Sequence, residues 1–167
     1  GTFFELAQTY IDELQAQQKF TQHSSERGRL NNIKEFRNQR DFFFHEIDEQ
    51  FLIKLKIFLH SEKGLTQRTI VNHYVLIRGL FNRAIRSKLV DRDQYPFGKG
   101  KIVIKFPETT KIGLDADEIK QIENIELEEG SKMWHAKNVF LFSFYLAGMR
   151  VSDLLNLKWS EINNGRL

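Results

Sequence analysis

A chain of 167 residues, 41% of them hydrophobic and 28% charged, has the composition of an ordinary soluble globular protein with one or two cored domains. It holds no cysteine, which excludes a disulfide framework and a thiolate metal site. The longest apolar stretch, Val139–Gly148 interrupted by Ser143, is about half of the roughly 20 residues that a membrane span needs, and the N-terminus shows no basic segment leading into an apolar run.

The formal charge of +3 is unevenly placed. Gly1–Pro107 carries 18 Lys and Arg against 12 Asp and Glu, a net of +6, whereas Glu108–Leu167 carries 7 against 10, a net of −3. The electrostatic footprint for a polyanion therefore lies in the first part. Along that part, Phe3–Gln18 places Phe3, Leu6, Ala7, Tyr10, Ile11 and Leu14 at helical spacing. Ser24 and Ser25 precede a second expected helix, Glu26–Asn38, with Leu30, Ile33 and Phe36 in period. Phe42–Ile47 is too short and apolar for a helix and is expected as an extended connector on the core. Asp48 can cap a third helix over Glu49–Ser61, with Phe51, Leu52, Leu55, Phe58 and Leu59 inward and Gly64 as its left-handed stop.

Thr66 opens the fourth and longest helix, to about Leu89, whose buried stripe is Ile70, Tyr74, Ile77, Phe81, Ala84 and Ile85. Arg68, Asn72, Arg78, Asn82 and Arg86 lie off that stripe. Asp91–Lys111 then reads as a linker, because it holds both prolines, Pro96 and Pro107, with Gly98 and Gly100. Within it, Ile102–Phe106 is expected as one short strand. Composition and charge change together here, which sets a domain boundary near residue 107. Beyond it, acidic Asp115–Glu118 suits a helix start over roughly Ala116–Asn124. Ser131 opens a helix over Lys132–Ala147 that is apolar nearly all round from Val139, the pattern of a central core helix. Gly148 ends it, Val151–Leu157 begins a short helix, and Asn163-Asn164-Gly165 signals a turn.

The run Leu146-Ala147-Gly148-Met149-Arg150-Val151-Ser152-Asp153-Leu154-Leu155-Asn156-Leu157-Lys158-Trp159 closely resembles the first catalytic-arginine box of the tyrosine recombinases, the phage and mobile-element integrases. Gly113–Ile119 is similar to the opening of that family's catalytic domain. Thr66–Ile70 with Asn82–Ile85 is similar to the last helix of its core-binding domain. The resemblance implies a mainly α chain: a four-helix, SAM-like core-binding domain over residues 1–107, with a linker from about 91, and the first helices of a mixed α/β catalytic domain over 108–167. It implies double-stranded DNA as partner, a tetramer on DNA in the full-length enzyme, a bacterial cytoplasmic setting, and no cofactor, metal or membrane.

In such an enzyme Arg150 binds the reacting phosphate. A guanidinium presents a planar fork of donors and never deprotonates, so it suits the charge that develops on non-bridging oxygens. Donors of this kind are worth about 10²–10³ in rate each. The resemblance makes Asp153 an acid that orients the arginine, and the start of the next helix adds a favourable dipole. The family also needs a lysine on a β-hairpin, a His-x-x-Arg box and a late nucleophilic tyrosine. No histidine here has an arginine at that spacing, and all four tyrosines precede Arg150, so these 167 residues are expected not to cleave DNA.

The helices matching the family's DNA clasp are the second and fourth. Thr66, Gln67 and Thr69 suit a phosphate at a helix N-terminus. Arg68, Asn72 and His73 are candidates to face the groove, with Arg27, Arg29 and Asn32 from the second helix, and Lys101 and Lys105 are candidates to track the backbone. Each can equally belong to a solvated helix face, and Thr66 can be only an N-cap. His135 beside Trp134 has no second ligand at metal spacing and reads as packing. Two other classes remain open: a non-catalytic DNA-binding regulatory or excision factor, and a helical protein-interaction module.

Overall fold

The computed structural model of the chain describes residues 1–108 and 112–161. It is built from helices α1 (Phe3–Ala16), α2 (Phe20–Phe36), α3 (Glu49–Ser61), α4 (Gln67–Arg86), α5 (Ala116–Asn124), α6 (Lys132–Tyr145) and α7 (Val151–Leu155). The chain divides into two compact units, Gly1–Thr109 and Thr110–Leu167. The turn signal at Asn163–Gly165 lies outside the described residues. Among the described residues no helix is long and apolar enough to cross a membrane.

The first unit is mainly α, as its periodicities imply. Thr2 caps α1 in a reciprocal box with Glu5. Gln18 then turns left-handed at φ 58° and α2 starts at once. That start is several residues earlier than the apolar spacing suggests. Ser24 and Ser25 cap nothing; they sit inside the helix, whose first turn is held by His23 N–H donating to Lys19 O at 2.8 Å and by Gln22 Nε2 donating to the Tyr10 hydroxyl at 3.0 Å.

Phe42–Ile47 buries Phe42, Phe44 and Ile47 in the core, leaves Phe43 exposed, and contains a 3₁₀ turn at Phe44–Glu46. Phe42 stacks on Phe3 with ring centroids 4.9 Å apart, and Phe44 meets Phe81 of α4 edge-on at 5.0 Å. Asp41 fastens the segment to α1: its carboxylate accepts from the backbone N–H groups of Phe4 at 3.1 Å and Phe42 at 2.7 Å, and from the Thr2 hydroxyl.

Asp48 caps α3 by accepting from Phe51 N–H at 2.7 Å. Gly64 adopts φ 62° after it, and its N–H donates to His60 O at 3.1 Å. Thr66 caps α4, which buries Ile70, Tyr74, Ile77, Phe81 and Ala84 but leaves Ile85 half-buried. Tyr74 donates to Leu52 O at 2.7 Å, and burial pushes its phenol up to about 12.

Two expectations about the segment after α4 need correction. It is not a free linker from residue 91, because Val90, Pro96 and Phe97 are buried against the four-helix core and Ile102 and Ile104 pack on it. Nor does Ile102–Phe106 form a strand; an isolated bridge from Phe97 to Ile102 is all the β-pairing among the described residues. Aromatic packing of Phe97 against Tyr74 and Tyr95 draws the segment onto the helices.

In the second unit Asp115 caps α5 in a box with Glu118, and Ser131 caps α6. Lys137 joins the two helices, its ammonium donating to Glu123 O at 2.9 Å and Ile125 O at 2.8 Å. The expectation of a central core helix is not met: α6 has no buried residue, and Phe142 is 46% exposed. Its apolar residues, Val139 and Leu141 among them, are at most half-buried among the described residues.

Candidate nucleic-acid interface

Asn32 of α2 and His73 of α4 meet where those helices cross. Thr66 Oγ1 accepts from Thr69 N–H at 3.4 Å and hydrogen-bonds the Thr69 hydroxyl at 3.0 Å, so both hydroxyls serve the cap. Gln67 and Arg68 remain exposed on the first turn. The Arg68 guanidinium lies 5.5 Å from the centre of the Phe106 ring, and Lys105, the residue before Phe106, is exposed. Asn72 follows one turn on and is half-buried; Arg27 is exposed on α2.

His73 does not face a groove. It is 1% exposed, with Nδ1 hydrogen-bonded to Thr69 O at 2.8 Å and Nε2 to Asn32 Nδ2 at 3.1 Å. A neutral ring protonated on Nδ1 satisfies both partners, donating to the carbonyl and accepting from the amide. Burial holds its pKa below the usual histidine value; the Thr69 carbonyl opposes that shift and the nearby charge of Arg29 adds to it. His73 therefore pins α4 to α2, and Asn32, half-buried, is committed to the same pin. Polarity alone does not separate such a histidine from a surface one.

Arg29 is half-exposed, its Nη1 2.9 Å from Glu26 Oε2. Lys101 is also largely spent: its ammonium donates to Tyr95 O at 2.6 Å and to Asp93 O at 3.4 Å, closing the loop after α4. The free cations beside α4 are Arg68 and Lys105, together with Arg78 and Arg86, which the sequence places off the buried stripe without marking them for DNA. Both are exposed, and the signal that finds them is the step of threes and fours from Arg68 and Asn72 through Val75 to Arg78, Asn82 and Arg86. Arg83, beside them, is occupied by Glu13 at 2.7 Å and by the Tyr10 ring at 4.6 Å. Its hydrogen bond draws the Glu13 carboxyl below its ordinary value.

The second unit positions Arg150 through its backbone. Ala147 and Gly148 are both left-handed, at φ 56° and 79°, and reverse the chain after α6. Gly148 N–H donates to Ser143 O at 2.9 Å, and the Ser143 hydroxyl donates to Met149 O at 2.6 Å. Arg150 is then the N-cap of α7, its carbonyl accepting from Asp153 and Leu154 N–H, both at 2.9 Å. The side chain is exposed.

Two expectations for this box change. Among the ion pairs of the described residues none joins Arg150 to Asp153, whose carboxylate instead accepts from the Ser152 hydroxyl at 3.4 Å. And α7 is five residues long, so its dipole is a small term.

Residues 2–102 match the family profile of the phage integrase SAM-like domain. The tyrosine recombinase XerC of Bacillus licheniformis is 33% identical over 113 residues, which is 65% of this chain and 35% of that protein. The chain thus spans well under half the length of the relative it matches. No solved structure matches it. With a SAM-like domain of this kind over most of its length, the chain belongs to the tyrosine recombinase family.

Proposed function

We propose that this chain is the DNA-gripping portion of a site-specific tyrosine recombinase of a phage or mobile element, whose whole enzyme cleaves and rejoins duplex DNA through a 3′-phosphotyrosyl intermediate. The first unit is a core-binding domain, and the second contributes Arg150 as a donor to the non-bridging oxygens of the scissile phosphate. The observation that carries the reading is the exposed cationic stripe of α4, from Arg68 through Arg78 to Arg86, on the unit with the positive surplus. Phosphate contacts of that kind set register and supply most of the affinity.

Arg150 fits the same reading because its side chain is exposed and the turn at Ala147–Gly148 fixes where it starts. The 167 residues hold no His-x-x-Arg sequence and no tyrosine after Arg150, so they bind duplex without cleaving it. The whole enzyme works as a tetramer assembled on DNA in the bacterial cytoplasm, without a cofactor. Titrating duplex binding against salt tests the face. Replacing Arg68 and Lys105 by alanine weakens binding and flattens the slope of log affinity against log salt by about 0.9 for each phosphate that is no longer neutralised. Binding and slope that stay unchanged in both variants dismiss the face. Binding that does not respond to salt favours a helical protein-interaction module instead.

A further inference from the structure

Three arginines of the first unit lie over aromatic rings, and the fold uses them differently. The Arg37 guanidinium sits 4.6 Å from the centre of the Phe42 ring and pairs with Glu46 at 3.1 Å. Arg83 sits 4.6 Å from the centre of the Tyr10 ring and pairs with Glu13 at 2.7 Å. In both, a ring takes the face of the guanidinium and a carboxylate takes its N–H edge, so charge and donors are committed to the fold. Arg68 lies over the Phe106 ring at 5.5 Å, is exposed, and has no ion-pair partner among the described residues. Its face is restrained and its N–H edge is left open.

The fold also fixes where Phe106 stands. In extended backbone, residues two apart share a face. Ile102 and Ile104 pack on the helical core, which brings Phe106 to the same side, whereas Val103 and Lys105 between them are exposed. The stretch is anchored at its start by Gly98 N–H donating to Ile102 O at 3.1 Å and by Ile102 N–H donating to Pro96 O at 3.3 Å. At its end Pro107 restricts Phe106 to extended conformations. Phe106 is itself 43% exposed, so burial in the core does not account for an aromatic residue at this position.

We propose that Phe106 is a positioning residue for the DNA grip: its ring stacks Arg68 before the duplex arrives and leaves the guanidinium edge to a phosphate. The role rests on the DNA-binding reading above. An arginine loses side-chain freedom when it takes a phosphate, and stacking it beforehand removes part of that loss. The effect belongs to the ring, because an aromatic quadrupole attracts a cation and an aliphatic side chain has none.

The test uses the 167-residue chain, its Phe106→Leu, Phe106→Trp and Arg68→Ala variants, and the double variant Phe106→Leu with Arg68→Ala. Each is melted, and each is titrated with duplex at several salt concentrations. Phe106→Leu melts within about 2 °C of the parent, as an exposed position should. It binds about 2–5-fold more weakly, the size expected of one exposed cation–π contact. Its salt slope stays unchanged, because Arg68 still neutralises its phosphate. Arg68→Ala flattens that slope by about 0.9, and adding Phe106→Leu to it weakens binding no further. Phe106→Trp restores the parent affinity. In the free chain the Phe106 ring current moves the Arg68 side-chain proton resonances upfield, a shift that leucine removes and tryptophan keeps. The tryptophan variant and the proton shift are read whether or not leucine lowers the melting temperature.

Phe106→Leu binding like the parent, or a loss that persists in full beside Arg68→Ala, overturns the role. So does a tryptophan variant as weak as leucine, or Arg68 protons at their ordinary positions in the parent. A parent that binds no duplex, or an Arg68→Ala variant with the parent's affinity and slope, refutes the DNA reading of Arg68 and the positioning role with it. An Arg68→Ala loss beside a silent Phe106→Leu keeps that reading and overturns the positioning role alone.

Discussion

The two units spend their apolar residues in opposite ways. In Gly1–Thr109 four helices and the Phe42–Ile47 segment enclose a continuous aromatic and aliphatic core, with Phe3, Leu52, Ile77 and Phe81 fully buried. In the described part of Thr110–Leu167 Ile119 alone is buried, and Phe140, Phe142 and Phe144 of α6 are exposed. Their residue types are alike; what differs is whether a second layer covers them. An apolar helix face stabilises a fold only to the extent that another element removes it from water. The first unit therefore carries its own stability, and the second is held largely by caps and by the Lys137 clasp.

One truncation made in both units puts that contrast at greatest risk. Phe81→Ala removes a fully buried ring packed on Phe44 and Tyr95 and costs about 3–5 kcal/mol, read as a drop in the urea midpoint followed by far-UV circular dichroism. Phe142→Ala, at 46% exposure, costs less than about 1 kcal/mol. Both tryptophans lie in the second unit, so their fluorescence follows that unit separately. Equal costs at the two sites would mean that α6 is covered as fully as α4.

A smaller effect concerns how the first unit is pinned. The unfolded chain titrates His73 near the ordinary value of 6.5, and burial sets the folded value lower. Between the two, the unfolded state binds the proton and the folded state does not, so stability rises with pH through that window. The contribution is complete above pH 6.5 and is lost as pH falls through the folded pKa. Melting temperature should decline on acidification across this window, and His73→Gln should flatten that part of the decline. An unchanged slope in the variant would show that the α2–α4 pin does not titrate.

Much of this arrangement is legible in the residues, and where it is not the reason is local. Asp48 and Thr66 each announce a helix start, because a short side chain with an acceptor precedes a clean apolar period, and both are the observed caps. The start of α2 carries no such signal: Thr21–Ser25 is polar throughout, and its helix is fixed by the hairpin with α1 through Tyr10. His73 reads as a surface group in the sequence because its partners, Asn32 on another helix and its own Thr69 carbonyl, are properties of the crossing and not of the spacing. Pro96 and Gly98 suggest a linker, yet Phe97 between them buries itself against Tyr74 and outweighs them. Arg150 is legible from its box, whereas the lack of an ion pair to Asp153 among the described residues is not, because spacing does not set side-chain rotamers.

The smallest effect bears on what the second unit is for. Arg150 is exposed and has no ion-pair partner among the described residues, so folding does not draw on its guanidinium. Its backbone carbonyl opens α7, and alanine keeps that carbonyl in place. Arg150→Ala should therefore change the unfolding free energy by less than about 0.5 kcal/mol, the usual range for surface substitutions, in the tryptophan-detected urea transition. A residue that follows a left-handed turn and whose side chain the fold does not need is available to a ligand. A cost well above that range would assign the guanidinium a structural partner and would remove the reason for reserving it for phosphate. The contrast with Phe81 is then complete: one side chain is spent on the fold, and the other is held by the fold and left free.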